Sequence, residues 1–253
     1  MDFNRSNIFG IVRHQLALDM NCNTQDFLSD GIVFCEAKLN DGRRMFERQT
    51  PYLEIATMGN GIVISADVDI IAKIKPIIQN KSRDDIFFAP FLYGHSLYYI
   101  PDCKTIKKLP YPDGFTFHIK EGKDIYSLYE LPGFNNAIQY DKNHSRPDRL
   151  AVYAMKENEI VAMAGASIDS KIMWQIGIDV LPPFRNAGLA SCLVSNLAVM
   201  IMERGIVPYY GTASSNIPSQ AVAYRSGFIP VWMCTYKNTL DGKSPYNIEN
   251  TNI

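Results

Sequence analysis

One stretch in the second half of the chain decides the fold, and it reads Ile178-Asp179-Val180-Leu181-Pro182-Pro183-Phe184-Arg185-Asn186-Ala187-Gly188-Leu189-Ala190. Apolar residues up to Val180 predict a strand over residues 172–180, and the two prolines that follow predict its end. From Gly188 to Arg204, apolar residues recur at helical spacing, with Gly205 as a C-terminal cap. The stretch therefore predicts a strand, a short loop and a helix.

The loop before this helix has the properties of an anion-binding site. The first N–H groups of a helix have no intrahelical acceptor, and the helix dipole adds partial positive charge at the same end. Gly188 and Ala190 are small enough for a ligand to approach the backbone, and Arg185 adds a cationic donor. Such a site suits a pyrophosphate. The chain contains neither G-x-x-x-x-G-K-[ST] nor G-x-G-x-x-G, which argues against a P-loop NTPase and a dinucleotide-binding fold.

The residues around this stretch predict a mixed sheet with helices on its faces. Their order is β-α-β-β-β-α-β-α-β. Strands are predicted at 115–119, 149–155, 159–168, 172–180, 207–213 and 228–236, and helices at 123–130, 188–204 and 218–226.

A resemblance follows from motifs in this order. The pattern Arg185-x-x-Gly188-x-Ala190 after Val180, followed by Asn216 and by Tyr224-Arg225-Ser226-Gly227-Phe228, resembles the GNAT N-acetyltransferase superfamily over residues 115–237. The resemblance implies a GNAT-like acyltransferase fold of the α/β class, with an α+β mixed sheet, preceded by a smaller α/β domain. It also implies acetyl-CoA as co-substrate and no metal.

The resemblance implies roles for particular residues. The pyrophosphate contacts would be Arg185, Asn186, Ala187, Gly188, Leu189 and Ala190, and the pantetheine would pair with the main chain of Ile178, Asp179 and Val180. Asn216 and Ser219 are expected to contact the cofactor. Tyr224 is expected to contact it too and to protonate the leaving thiolate as general acid.

The general base is less well defined. Many relatives carry a glutamate on the strand before the loop, but Gln175 stands in that region and cannot accept a proton. Asp179 is the candidate, although strand alternation turns it away from the face of Ile178 and Val180. Asp169 and Glu130 are alternatives, and an amine of low pKa would need no strong base.

The first half of the chain predicts a second α/β unit. Strands are expected at 31–35, 52–58 and 62–65, and a helix at 69–79, in which Pro76 disfavours continuity. Prolines at 101, 110 and 112 mark a boundary. The predicted domains are residues 1–112, without an assigned role, and residues 113–253, the acetyltransferase domain. A degenerate GNAT-like half remains open for the first domain.

Composition limits the partners. Of 253 residues, 25 are Lys or Arg and 26 are Asp or Glu, so the net charge of −1 gives no broad footprint for nucleic acid. We expect a cytoplasmic protein, because the sequence has no long apolar run and no signal-peptide pattern. Five scattered cysteines and four separate histidines give no metal-ligand spacing.

The predicted function is transfer of an acetyl group from acetyl-CoA to a primary amine of a small molecule or peptide, by direct attack in a ternary complex. One alternative is a non-catalytic acetyl-CoA-binding sensor or scaffold. Another is a tandem-GNAT aminoacyl or acyl transferase. The oligomeric state is open, and a homodimer is among the options.

Overall fold

The computed structural model describes residues 3–243, so the outer ends of the two predicted domains, residues 1–2 and 244–253, lie outside the described residues. The helices are α1 (Arg5–Met20), α2 (Val68–Ile78), α3 (Arg83–Phe87), α4 (Leu189–Glu203) and α5 (Ile217–Arg225). The strands are β1 (Ile32–Glu36), β2 (Leu53–Thr57), β3 (Ile62–Ala66), β4 (Leu92–Pro101), β5 (Thr116–Glu121), β6 (Asp148–Lys156), β7 (Glu159–Ile168), β8 (Met173–Val180), β9 (Val207–Ala213) and β10 (Phe228–Asn238). Short 3-10 helices span Thr24–Phe27, Gly122–Leu128 and Pro182–Phe184.

The chain forms two compact units that are interleaved in sequence. The first takes in Met1–Gln15, Gly42–Phe46 and Leu97–Val231, and the second takes in Leu16–Asp41, Glu47–Ser96 and Trp232–Ile253. The predicted domain boundary between residues 112 and 113 remains a prediction.

The first unit carries the strands predicted around the 178–190 stretch. Its strand order is β4-β9-β8-β7-β6-β5, with β5 to β8 antiparallel and β8 parallel to β9. Helix α4 buries Leu193, Leu197 and Ile201 against this sheet, because these residues recur along one face of the helix. The mixed α/β sheet predicted from the sequence is confirmed.

The second unit is a smaller α/β layer. Its strand order is β1-β3-β2-β10, with β1 parallel to β3 and the other pairs antiparallel. Ile70, Ile74 and Ile78 of α2 form the buried stripe of its core. All five cysteines are free, and in this unit a hydrogen bond with Cys35 raises the pKa of the Cys22 thiol.

Three local features differ from the sequence predictions. Helix α2 runs through Pro76 without a break, because Pro76 lies in the last turn of the helix. Proline has no N–H to donate to the carbonyl four residues earlier, but that carbonyl belongs to Ala72, which is exposed to solvent. The helix expected at 123–130 is the 3-10 helix Gly122–Leu128. Helix α1 was not predicted, because buried polar Gln15 and Asp19 interrupt its apolar face.

Candidate active site

The centre of the candidate site is the place where β8 and β9 separate. The two strands pair over four positions, from Met173 opposite Val207 to Ile176 opposite Tyr210. The register stops there, although β8 continues to Val180 and β9 to Ala213. A cavity of about 1080 Å³ lies at these diverging ends, and residues 175–180 and 210–213 line it. The main chain at this end of β8 therefore presents an edge to the cavity.

The N-terminus of α4 opens onto the same cavity. Gly188 is the N-cap, and its φ of +79° is a left-handed conformation that favours glycine. Within residues 3–243, the backbone N–H groups of residues 186–191 have no hydrogen-bond acceptor. The first intrahelical bond runs from the N–H of Cys192 to the carbonyl of Gly188. Six consecutive donors and the positive end of the helix dipole therefore meet at the place where the sequence predicts an anion site, and the binding of an anion there stays a prediction.

The predicted loop residues take distinct positions around these donors. The Nε of Arg185 donates to the carbonyl of Val180 at 3.2 Å, which folds the side chain back along β8. Asn186 also has a positive φ, of 65°, and lines the cavity. The side chain of Leu189 is buried in the core, which leaves its backbone as the part available to the cavity. Ala187 is not among the residues that line the cavity, whereas Ala190 is.

Helix α5 forms a second wall of the cavity. The Asn216 side chain caps this helix by accepting from the N–H of Ser219 at 3.2 Å. The Ser219 hydroxyl is 2.7 Å from the hydroxyl of Tyr210 on β9. Asn216 and Ser219 both line the cavity, as the cofactor prediction requires, and their side chains also hold α5 in place.

Tyr224 lies on α5 beside the cavity but is not one of its lining residues. Its side chain is 55% exposed, and its ring packs edge-on against the buried ring of Tyr99, with centroids 5.5 Å apart. Burial and the neighbouring Tyr224 hydroxyl raise the pKa of Tyr99 to about 12. Tyr210, in contrast, is buried and lines the cavity, and burial raises the pKa of its hydroxyl.

Asp179 is tied to a loop that crosses the sheet. Its carboxylate accepts three hydrogen bonds, from the backbone N–H of Asn136 at 2.7 Å, from the Asn136 side-chain amide at 2.6 Å and from the N–H of Ala137 at 3.0 Å. The loop, residues 134–138, contributes residues 135–137 to the cavity lining. The carboxylate proposed as a base from the sequence therefore holds the cavity wall in place.

Two facing glycines let this loop lie directly on the sheet. Gly165 on β7 pairs with Gly177 on β8. A Cβ on Gly165 would be 1.9 Å from the carbonyl oxygen of Ala137, and one on Gly177 would be 1.7 Å from that of Asn136. Neither position can hold a larger residue unless the loop moves. Sequence reasoning missed this loop, although a glycine in each of two adjacent predicted strands is a signal for close backbone approach.

A buried polar cluster lies at the opposite end of the cavity from α4. Asp169 is fully buried and accepts from Ser167 at 2.9 Å, from Arg146 at 3.3 Å and from the hydroxyl of Tyr209. Burial raises the pKa of Asp169, and the charges of Arg146 and Arg44 act against that rise. The lone pairs of Asp169 are thus committed to structure. Glu130, the other alternative base, is exposed and is not part of the cavity lining.

Asp148 supports the cavity wall from beneath. It is 6% exposed, and its Oδ2 accepts from the hydroxyl of Tyr129 at 2.7 Å and from the N–H of Gln139 at 2.8 Å. Within the described residues, its Oδ1 is buried without a partner. Burial raises the pKa of Asp148 above its usual value near 3.8.

Two further observations concern metals and membranes. Within residues 3–243, no group of three or more His, Cys, Asp or Glu side chains is placed to hold a metal ion. None of the helices in the same range combines the length and the apolar character needed to cross a bilayer.

Comparison with known proteins identifies the domain that contains the cavity. Residues 115–228 match the family model described as the acetyltransferase (GNAT) family. These residues are a GNAT acetyltransferase domain. The predicted resemblance is confirmed for this part of the chain, which includes the diverging strands, the N-terminus of α4 and Tyr224. No curated protein matches the chain.

Solved structures similar to the chain include several described as GNAT acetyltransferases. One from Novosphingobium aromaticivorans has 17% identity and a TM-score of 0.43, with 56% of this chain and 63% of that chain covered. One from Kribbella flavida has 15% identity and a TM-score of 0.43, covering 59% and 60%. One from Colwellia psychrerythraea has 14% identity and a TM-score of 0.47, covering 74% and 65%. The chain thus spans less than two thirds of the length of each.

Proposed function

We propose that this protein transfers the acetyl group of acetyl-CoA to a primary amine of a small molecule or peptide, by direct attack in a ternary complex. The proposal rests on one observation. At the start of α4, six consecutive backbone N–H groups have no acceptor within residues 3–243, and they open onto the same cavity as the free edge of β8. An anion site next to an unpaired strand edge suits a ligand with a diphosphate followed by an amide-bearing arm.

The residues present fit acetyl-CoA at three points. The N–H groups of residues 186–191 and the side chain of Arg185 would hold the pyrophosphate. The main chain of Ile178, Asp179 and Val180 would pair with the pantetheine amides as an added strand does. Arg225 lines both this cavity and a neighbouring one of about 560 Å³, where it would face a further anionic part of the ligand.

The reaction needs few groups from the protein. The amine lone pair attacks the thioester carbonyl carbon, the C–S bond breaks, and the amine loses a proton. A backbone N–H of β8 would stabilise the oxyanion. Tyr224 would give its hydroxyl proton to the leaving thiolate and regain a proton from water. We propose that Asp179 acts as a positioning residue for the 134–138 loop, and that the amine proton leaves through water.

Tyr210 is a second candidate for the general acid. It stands at the last paired position of β8 and β9 and lines the cavity, whereas Tyr224 does not. Against it, its hydroxyl is already engaged with Ser219 at 2.7 Å. We therefore keep Tyr224 as the proposed acid and use the matched phenylalanine variants to decide between the two.

Calorimetric titration with acetyl-CoA, followed by thiol release over a panel of amines, tests the proposal. We expect acetyl-CoA to bind and at least one amine class to accelerate thiol release, with the acetylated amine identified by mass spectrometry. Binding without thiol release over the whole panel would instead support the sensor or scaffold. Faster turnover of longer acyl-CoA or of aminoacyl donors would support the acyl transferase alternative.

A further inference from the structure

The end of the cavity opposite the α4 N-terminus contains a fixed positive charge. The cavity follows β8 from Val180 to Gln175, five residues or about 17 Å at the usual rise of a strand. At the Gln175 end, its lining residues are Gln139, Arg146, Ser167 and Gln175. The arm of acetyl-CoA, bound as proposed above, enters from the Val180 end, so the acceptor amine has to occupy the Gln175 end.

Arg146 is held rigidly in this position. Its Nη1 donates to the Gln175 side-chain oxygen at 3.1 Å and to Asp169 at 3.3 Å, and its guanidinium carbon lies 4.4 Å from the centre of the Phe46 ring. The side chain is 17% exposed. Both of these hydrogen bonds use Nη1, and no acceptor for Nη2 or Nε is found among residues 3–243, so donors of the planar fork remain available to a ligand in the cavity that Arg146 lines.

Arg146 supplies the cationic side chain at this end of the cavity lining, and Asp169, the carboxylate paired with it at 3.3 Å, is not one of the lining residues. Among the described residues, the only carboxylate that lines the cavity belongs to Asp179, and it is bound by the 134–138 loop. The acceptor end therefore presents the Arg146 guanidinium to the cavity, and within residues 3–243 no free carboxylate lines it to receive a cationic second group of a substrate.

We infer that the acceptor is a small primary amine that also carries a carboxylate, such as an amino acid, and that Arg146 binds this carboxylate. The inference rests on the acetyl transfer proposed above. A planar guanidinium already stacked on an aromatic ring binds a carboxylate through two parallel hydrogen bonds at little entropic cost. The same charge disfavours polyamines and lysine-rich peptides, whose additional ammonium groups would face Arg146 instead of an acid.

Pairs of amines that differ only in the carboxylate test this inference. The probes are glycine against methylamine, alanine against ethylamine, leucine against isopentylamine and phenylalanine against phenethylamine, each with saturating acetyl-CoA and thiol release as the readout. Hydrogen bonds to a charged group predict a kcat/KM about 10- to 100-fold higher for the carboxylate member of the preferred pair. Equal or faster turnover of the decarboxylated members would overturn the inference while leaving acetyl transfer intact.

Variants at Arg146 supply the second part of the test. Arg146→Lys keeps the charge but loses the planar fork, so the preference for the carboxylate member should fall about 10-fold through the KM of the acceptor, with the KM of acetyl-CoA unchanged. The double variant Arg146→Gln/Asp169→Asn removes both buried charges together and serves if the single variant misfolds. Arg149→Lys, at an exposed position nearby, is the matched control and should retain the preference.

A binding measurement separates failure of this inference from failure of the proposed function. N-acetylglycine, N-acetylalanine, N-acetylleucine and N-acetylphenylalanine are titrated into the CoA-loaded protein, with the corresponding N-alkylacetamides as controls that lack the carboxylate. Saturable binding that is lost in Arg146→Lys supports the carboxylate site even if no amine is acetylated. Absence of a difference between the two ligand sets would overturn it whatever the activity.

Discussion

Substitution of Asp179 by asparagine separates a catalytic base from a positioning residue. The asparagine side chain would keep one oxygen to accept from the N–H groups of Asn136 and Ala137, and the amide of Asn136 can turn to receive the new NH₂ group. All three hydrogen bonds can then persist without the charge. Hydrogen bonds to charged groups contribute about 1.5–3 kcal/mol and neutral ones about 0.5–1.5 kcal/mol, so for this half-buried side chain we expect a loss of about 1–2 kcal/mol in the free energy of unfolding.

The kinetic expectation follows from the same geometry. If Asp179 positions the 134–138 loop, kcat of the asparagine variant should stay within about threefold of the parent, and the pH dependence of turnover should be unchanged. Removal of a general base would instead lower kcat by about 10² to 10⁴-fold. Steady-state thiol release across a pH series, with urea unfolding of the same preparations, measures both quantities. A loss of kcat in that range in a stably folded variant would refute the reasoning.

Gly177→Ala is the matched control for this experiment, because it displaces the same loop without touching the carboxylate. The new Cβ would be 1.7 Å from the carbonyl oxygen of Asn136, so the loop must move. We expect Gly177→Ala and Asp179→Ala, which loses all three bonds, to raise the KM of the acceptor alike. If Asp179→Ala abolishes turnover while Gly177→Ala leaves it at the parent level, Asp179 acts in the chemistry.

Three further predictions use matched pairs or a single buried acid. Gly188→Ala should weaken acetyl-CoA binding by about 5- to 30-fold in calorimetry, because a left-handed residue with a Cβ costs about 1–2 kcal/mol and this strain displaces the N–H donors of the anion site. Gly205→Ala is the control: its φ is +77° beyond the other end of the helix, so it should lower the stability of the fold but not the affinity for acetyl-CoA. An equal loss of affinity in both variants would contradict this. Tyr224→Phe should lower kcat by about 10² to 10⁴-fold and Tyr210→Phe by much less, and the reverse ranking makes Tyr210 the acid. The pKa of Asp148 is raised in the folded state, so the folded protein binds this proton more tightly than the unfolded chain does, and stability falls as the pH rises above about 3.8. Asp148→Asn should therefore flatten the decline of Tm from pH 4 to pH 7. A decline as steep as that of the parent would show that this carboxyl does not cause it.

The parts of the site that are local in sequence could be predicted. A strand stopped by two prolines and a helix that begins at a glycine follow from rules that act over a few residues, so residues 178–190 and the donors at Gly188 were expected. The resemblance implied that the main chain of residues 178–180 pairs with the pantetheine, and the β8–β9 register ends at Ile176, just before these residues.

The acceptor side of the cavity could not be predicted in this way, because it depends on contacts between distant residues. Asp179 bonds to Asn136, 43 positions away, and Arg146 bonds to Gln175, 29 positions away. Alternation along β8 indicates only that Asp179 faces away from Ile178 and Val180. It does not reveal that a loop from another part of the chain supplies the hydrogen-bond donors on that face.

This contrast between the two ends of the cavity has a consequence for specificity. In the proposed complex, the donors for the diphosphate are backbone groups, which few side-chain substitutions other than those at Gly188 can remove. The acceptor end consists of side chains, with Arg146 held by Gln175 and the loop held by Asp179. Substitutions at the acceptor end should therefore change which amine is used and leave the affinity for acetyl-CoA intact, so that the two substrates can be altered independently in one domain.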